Sequence, residues 1–288
     1  MGSVTSATAD QQATTISGNT RMSVFTRVVL WFIAINALAG ASSLILLPTH
    51  TDTLFFWEIK PPINAALFGA LYLGGAIVVS LVSYRGQWES ARFLVPVLVS
   101  AGLFISLTTL IHLDRFAHDF KLVYWLIIYI GAPVLALVLY IYYERRGTNW
   151  AVTEPIRPIT RSIAIVTGAI VVALGMVILA WPELAIPNWP WPISPLMVRV
   201  FASWFSAFGV GLLWFYFEKD WSRVYHIASM MIVAAVFDLG LVIVHRNDLT
   251  SVGPNFWIFC FHLAAFGVIG LLLHGLQRRQ LVRKSLPS

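Results

Sequence analysis

One cysteine, Cys260, stands in the whole chain of 288 residues. It lies inside an apolar run, so an internal disulfide and a thiolate metal site are both excluded. Charge is almost as scarce. Only 11% of the residues are Asp, Glu, Lys or Arg, against about 25% in an ordinary soluble domain. The 13 acidic residues fall almost entirely outside the apolar runs, which leaves no carboxylate chain for a proton relay and argues against a primary pump. A Gly-rich phosphate loop, an H-E-x-x-H pair and a G-x-S-x-G elbow are all missing. No ring of charges or carbonyl filter marks an ion channel. The 7 histidines show no zinc-type spacing, and neither a metal nor a cofactor is expected.

What remains is apolar. Hydrophobic residues make up 58% of the chain and the mean hydropathy is +0.78. The apolar segments are unbroken and near 20 residues long, the length a helix needs to cross about 30 Å of hydrocarbon. A transmembrane barrel would show shorter alternating segments. Eight spans are predicted: Val28 to Leu47, Asn64 to Tyr84, Ala91 to Leu113, Leu122 to Tyr143, Ser162 to Ala180, Leu196 to Phe217, Val224 to Val244 and Phe256 to Leu276. Ala37-Leu38-Ala39 resembles a signal-peptide cleavage site, but the run continues well past it and a matching helix opens the second half. The fold class is therefore all-α, a polytopic membrane protein.

The two halves resemble each other. Trp57, Ile59 and Pro61, in a W-x-I-x-P segment, recur as Trp191, Ile193 and Pro195; Trp88 recurs as Trp221, His112 as His245, and Arg145-Arg146 as Arg278-Arg279. The offsets are 133 or 134 residues. This pattern predicts a tandem, parallel duplication of a four-helix unit, because an even number of spans brings both copies in from the same side. Two four-helix bundles facing each other across a pseudo-two-fold axis are expected. The organisation reads as a disordered tail at 1–20, a first repeat at 21–146, a linker at 147–160, a second repeat at 161–279 and a basic tail at 280–288.

Orientation follows from the cations. Arg21, Arg27, Arg85, Arg92, Arg145, Arg146, Arg157, Arg161, Lys219, Arg223, Arg278, Arg279, Arg283 and Lys284 fall at one end of the spans, and Lys60, Arg115, Lys121, Arg199 and Arg246 at the other. By the positive-inside rule both termini are cytoplasmic, in the plasma (inner) membrane. The formal net charge of +6 is explained by this topology and by anionic lipid, so no nucleic-acid partner is expected. The expected partners are the bilayer, a second membrane protein or another copy of the chain.

Three features carry candidate chemistry. The connections around Trp57 and around Trp189 and Trp191 are rich in Trp and Pro; they suit interfacial straps that launch the next helix, or lids over an outer site. His112 and His245 end the third and seventh helices, where a histidine suits the helix C-terminus or joins a ligand-binding pair, with His262 as a further candidate. Arg199 and Asp238 are ionisable residues inside spans, where charges are expensive and functional by default. They have no counterparts in the first half, and their depths suggest that they bridge.

The leading expectation is a non-catalytic membrane scaffold or assembly partner. The alternative is a binder or transporter of a small polar or anionic ligand, held by Arg199, Asp238, His245 and His262 beneath Trp189 and Trp191, in a cavity between helices six, seven and eight. A haem-containing redox protein is third.

Overall fold

The computed structural model describes residues 21–146, 151–250 and 252–285, with side chains as far as Arg278. The expected tail Met1–Thr20, the start of the linker and the last three residues lie outside the described residues. Among the described residues, eight helices are long and apolar enough to cross a membrane: α1 (Val24–Leu46), α2 (Pro62–Arg85), α3 (Trp88–Ile111), α4 (Phe120–Glu144), α5 (Pro158–Ala180), α6 (Pro195–Tyr216), α7 (Trp221–Val244) and α8 (Pro254–Ser285). Among the described residues there is no strand, and α8 runs on into the expected basic tail.

Helix boundaries follow local chemistry. Proline stands at the first helical position of α2, α5, α6 and α8, where its missing N–H is no loss. Side-chain oxygens of Ser23, Asp119, Ser194 and Asp220 accept a backbone N–H at the start of α1, α4, α6 and α7. At the end of α2 the chain turns through Gly86, whose φ of 66° lies in the left-handed region that glycine enters without Cβ strain.

The packing interleaves the two halves. α1 lies along α2 and α5 along α6, while α3 packs with α4 and α7 with α8. Across the halves, α2 packs on α7 and α3 on α6. The central helices are consequently the buried ones: 67% of the α2 span and 72% of the α6 span, against 22% in each of α1, α4, α5 and α8. One hydrophobic core runs through both halves, from Met22 to Leu273. The two expected bundles thus meet through α2 on α7 and α3 on α6, and they share one core.

Both halves also begin alike. An antiparallel bridge joins Arg21 to Gln87, and another joins Pro155 to Asp220. Beside them, Met22 N donates to Gly86 O at 2.8 Å and Ile156 N to Lys219 O at 3.0 Å. At this basic end a shared carboxylate locks the helix termini. Glu218 accepts from Arg92 at 3.0 Å and from Arg223 at 3.1 Å, and Arg92 reaches Glu144 at 2.8 Å. Removing a charge from water is costly, so such groups persist where each is paired.

Candidate functional site

Arg199 and Asp238 do not meet. Arg199 Nε donates to Leu179 O at 2.9 Å, and its Nη1 lies 2.8 Å from His112 Nε2. A guanidinium can only donate, so Nε2 is the acceptor and the imidazole proton sits on Nδ1. Burial, and then the Arg199 charge beside it, hold His112 below its ordinary value of 6.5. One turn on along α6, Ser203 Oγ donates to Arg199 O at 2.7 Å and meets Thr108 Oγ1 at 3.2 Å. The polar face of α6 is thus turned to α3, in the other half. That cross-packing, invisible along the sequence, is what separates Arg199 from Asp238.

Asp238 stands alone on α7. It is 4% exposed, and its Oδ1 is buried without a hydrogen-bond partner. It shares the buried face of α7 with Ala234 and Met231, one and two turns away.

The other candidates disperse. His245 Nδ1 lies 3.5 Å from Asp248 Oδ2, and that same oxygen accepts Ile63 N at 2.9 Å, which ties the end of α7 to the start of α2. His262 is exposed and bonds back to Ile258 O of its own helix at 2.7 Å. The repeated W-x-I-x-P segments come together instead. Trp191 Nε1 donates to Asn64 Oδ1 at 2.8 Å, while Asn64 Nδ2 donates to Lys60 O at 3.0 Å and Pro192 O at 3.3 Å. Trp189 stacks on Phe201 and touches Phe259 edge-on. Trp57 and Ile59 are buried, Trp57 against Phe55 and Trp125. These tryptophans, Pro61 and Pro195 lie over the helix ends, with a pocket between the two segments lined by Ile59, Pro61, Pro192 and Ile193.

A cavity of about 470 Å³ lies elsewhere, enclosed by α1 to α4 of the first half. Leu54, Phe55, Phe56 and Trp125 close its top, and Trp204 of α6 and Met230 of α7 stand at its back. The lining residues on α2 and α3 are mostly buried and those on α1 and α4 mostly exposed or half-exposed, so the opening lies between α1 and α4. Hydrogen bonds cross that gap at both ends. Tyr124 OH donates to Asn36 Oδ1, and near the basic end Thr26 Oγ1 meets Tyr143 OH at 3.0 Å.

The cleft owes its shape to Pro133. Without an N–H, Pro133 cannot bond the carbonyl four residues back, at Tyr129. That carbonyl accepts Ser106 Oγ at 3.2 Å instead, and α4 widens into a π-helical turn at Ile127–Gly131. Such wide turns recur at functional positions. Here the turn presents Ile128 and Tyr129 to the cavity. On the facing helix, a Cβ built on Gly102 would fall 2.2 Å from Pro133 Cγ, so only glycine allows α3 to approach. α8 has no proline beyond its first residue, and it packs against α5.

No protein-family model, curated protein or solved structure matches the chain. None of the cavity's walls is charged, so no charged residue in the sequence marks it. The one available signal was Pro133, which has Ala265 or Phe266 in the corresponding place.

Proposed function

We propose that this multi-pass membrane protein holds a lipophilic molecule, taken from the bilayer, in the cleft of its first half. The observation that carries the proposal is the 470 Å³ cavity between α1 and α4, walled almost wholly by apolar side chains. Its size falls within the range of small-molecule sites, about 300–1,000 Å³. Arg199, the centre of the polar-ligand reading, is committed to Leu179 and His112, which removes the main support for an anion site there.

The test uses Gly75, which lines the cleft and has nothing within 4 Å of a built Cβ. Gly75→Leu places an apolar side chain in the cavity, beginning from a Cβ with no atom within 4 Å, and removes a helix-weakening glycine, worth about 1 kcal/mol. Wild type and variant are purified alike, and bound lipophiles are extracted and quantified by mass spectrometry. Wild type should retain close to one per chain and the variant far less. Equal retention would end the proposal. A stoichiometric protein partner in both samples, with no lipophile in either, would favour the scaffold reading.

The chain further reads as a tandem duplication oriented with both termini in the cytoplasm. The paired bridges at the start of each half, and helix contacts that recur four spans on, support the duplication. The basic residues gathered at one end support the orientation in the plasma (inner) membrane. A reporter fused to the C-terminus, active only on one side, tests it.

A further inference from the structure

We propose that the occupant of the cleft is an uncharged lipophile carrying a hydrogen-bond-accepting oxygen, of the class of an alkylated quinone, received by the paired hydroxyls of Tyr72 and Tyr129; this rests on the lipophile-binding reading above.

Charge decides the first half of this. The residues that line the cavity include no Asp, Glu, Lys, Arg or His. A carboxylate or phosphate drawn into it would lose its water and find no counter-ion, at a cost of several kcal/mol. The headgroup must therefore be neutral.

Hydrogen-bond accounting decides the second. Asn36 Nδ2 donates to Phe32 O at 2.8 Å and its Oδ1 accepts Tyr124 OH. Ser43 Oγ donates to Gly40 O at 3.0 Å. These lining groups are satisfied within the protein. Tyr72 and Tyr129 differ, because their hydroxyls bond only to each other. Two hydroxyls carry two protons and their mutual bond uses one, so one O–H is left without an acceptor. Trp204 packs against Tyr72, with ring centroids 5.4 Å apart, and its buried Nε1–H also lacks an acceptor. Each unmet requirement in the cleft is a donor, and a buried donor without an acceptor carries a desolvation cost that a ligand oxygen would remove.

Position fits the same class. The tyrosine pair lies on α2 and α4, and Phe55, Phe56 and Trp125 stand above it as flat apolar surfaces. A planar carbonyl-bearing ring reaches the pair while its alkyl chain leaves between α1 and α4.

Three probes of equal chain length separate the outcomes: decyl-trimethyl-1,4-benzoquinone, decylbenzene and decanoate, titrated into the purified full-length protein in lipid nanodiscs and read by melting temperature. A ligand that binds only the folded state raises it with saturation. The quinone should give the largest saturable shift on wild type. Tyr72→Phe and Tyr129→Phe each keep one hydroxyl and should keep binding. The double variant should bind the quinone about tenfold more weakly, the equivalent of one hydrogen bond, with decylbenzene unchanged. If decylbenzene or decanoate equals the quinone on wild type, the carbonyl class is overturned while the lipophile reading stands. If no probe shifts the melt, both fall. Should the double variant fail to fold, the wild-type series alone decides.

Discussion

Arg199 and His112 come from different halves of the chain and meet at 2.8 Å, with the arginine as donor. The contact fastens α6 to α3 and exists only while His112 keeps a free lone pair.

Acid should therefore loosen the protein at this point. Folded His112 titrates below 6.5, whereas an unfolded imidazole titrates near that value. Between the two, the unfolded chain binds a proton that the folded chain refuses, so stability falls as pH drops through this window and is flat above it. Melting curves at pH 7.5 and 5 should differ more for wild type than for His112→Phe. An equal acid response in both would place its source elsewhere.

Glu218 is shared by Arg92 and Arg223 and is only 2% exposed. Removing one member of a buried ionic cluster costs about 3–5 kcal/mol. Glu218→Gln should lower the melting temperature strongly while leaving probe binding intact in the protein that stays folded. A melt within error of wild type would show that the cluster contributes nothing net.

Pro133→Ala restores the N–H that Tyr129 O lacks. The π-helical turn should tighten, carrying Tyr129 away from Tyr72. Stability should hold or rise, since a proline inside a helix costs about 3 kcal/mol, but quinone affinity should fall at least about tenfold. Unchanged affinity would mean that the turn does not shape the site.

Asp238→Leu should stabilise the protein, because an unpartnered buried polar group costs about 1–3 kcal/mol. Arg199→Ala should do the opposite by releasing α3. A loss of stability in Asp238→Leu would reveal a partner for the carboxylate.

The helices themselves were legible in the sequence, because length and hydropathy are local properties. The predicted seventh run ends at Val244 and so does α7. Pro195 of the second W-x-I-x-P segment starts α6, whereas Pro61 of the first stands one residue before α2, which starts at Pro62; proline at a helix start acts through its own φ and missing N–H. What stayed hidden was which helix faces which. Arg199 and Asp238 share one half and similar depth, yet α6 turns its polar stripe to α3. The cleft was hidden for a related reason. Pro133 predicts a distorted helix, but only Ser106 and Gly102 on α3 fix where the distortion goes.

The interleaving of α2 with α7 and α3 with α6 has a consequence for biogenesis. The first four spans leave the ribosome before the helices they must pack against exist. α2 and α3 therefore wait in the lipid with their inner faces uncovered until α6 and α7 arrive, and assembly is completed by the second half of the chain rather than half by half. Two co-expressed fragments, 1–146 and 151–288, should consequently recover the native protein together, where either alone would be cleared as an orphan.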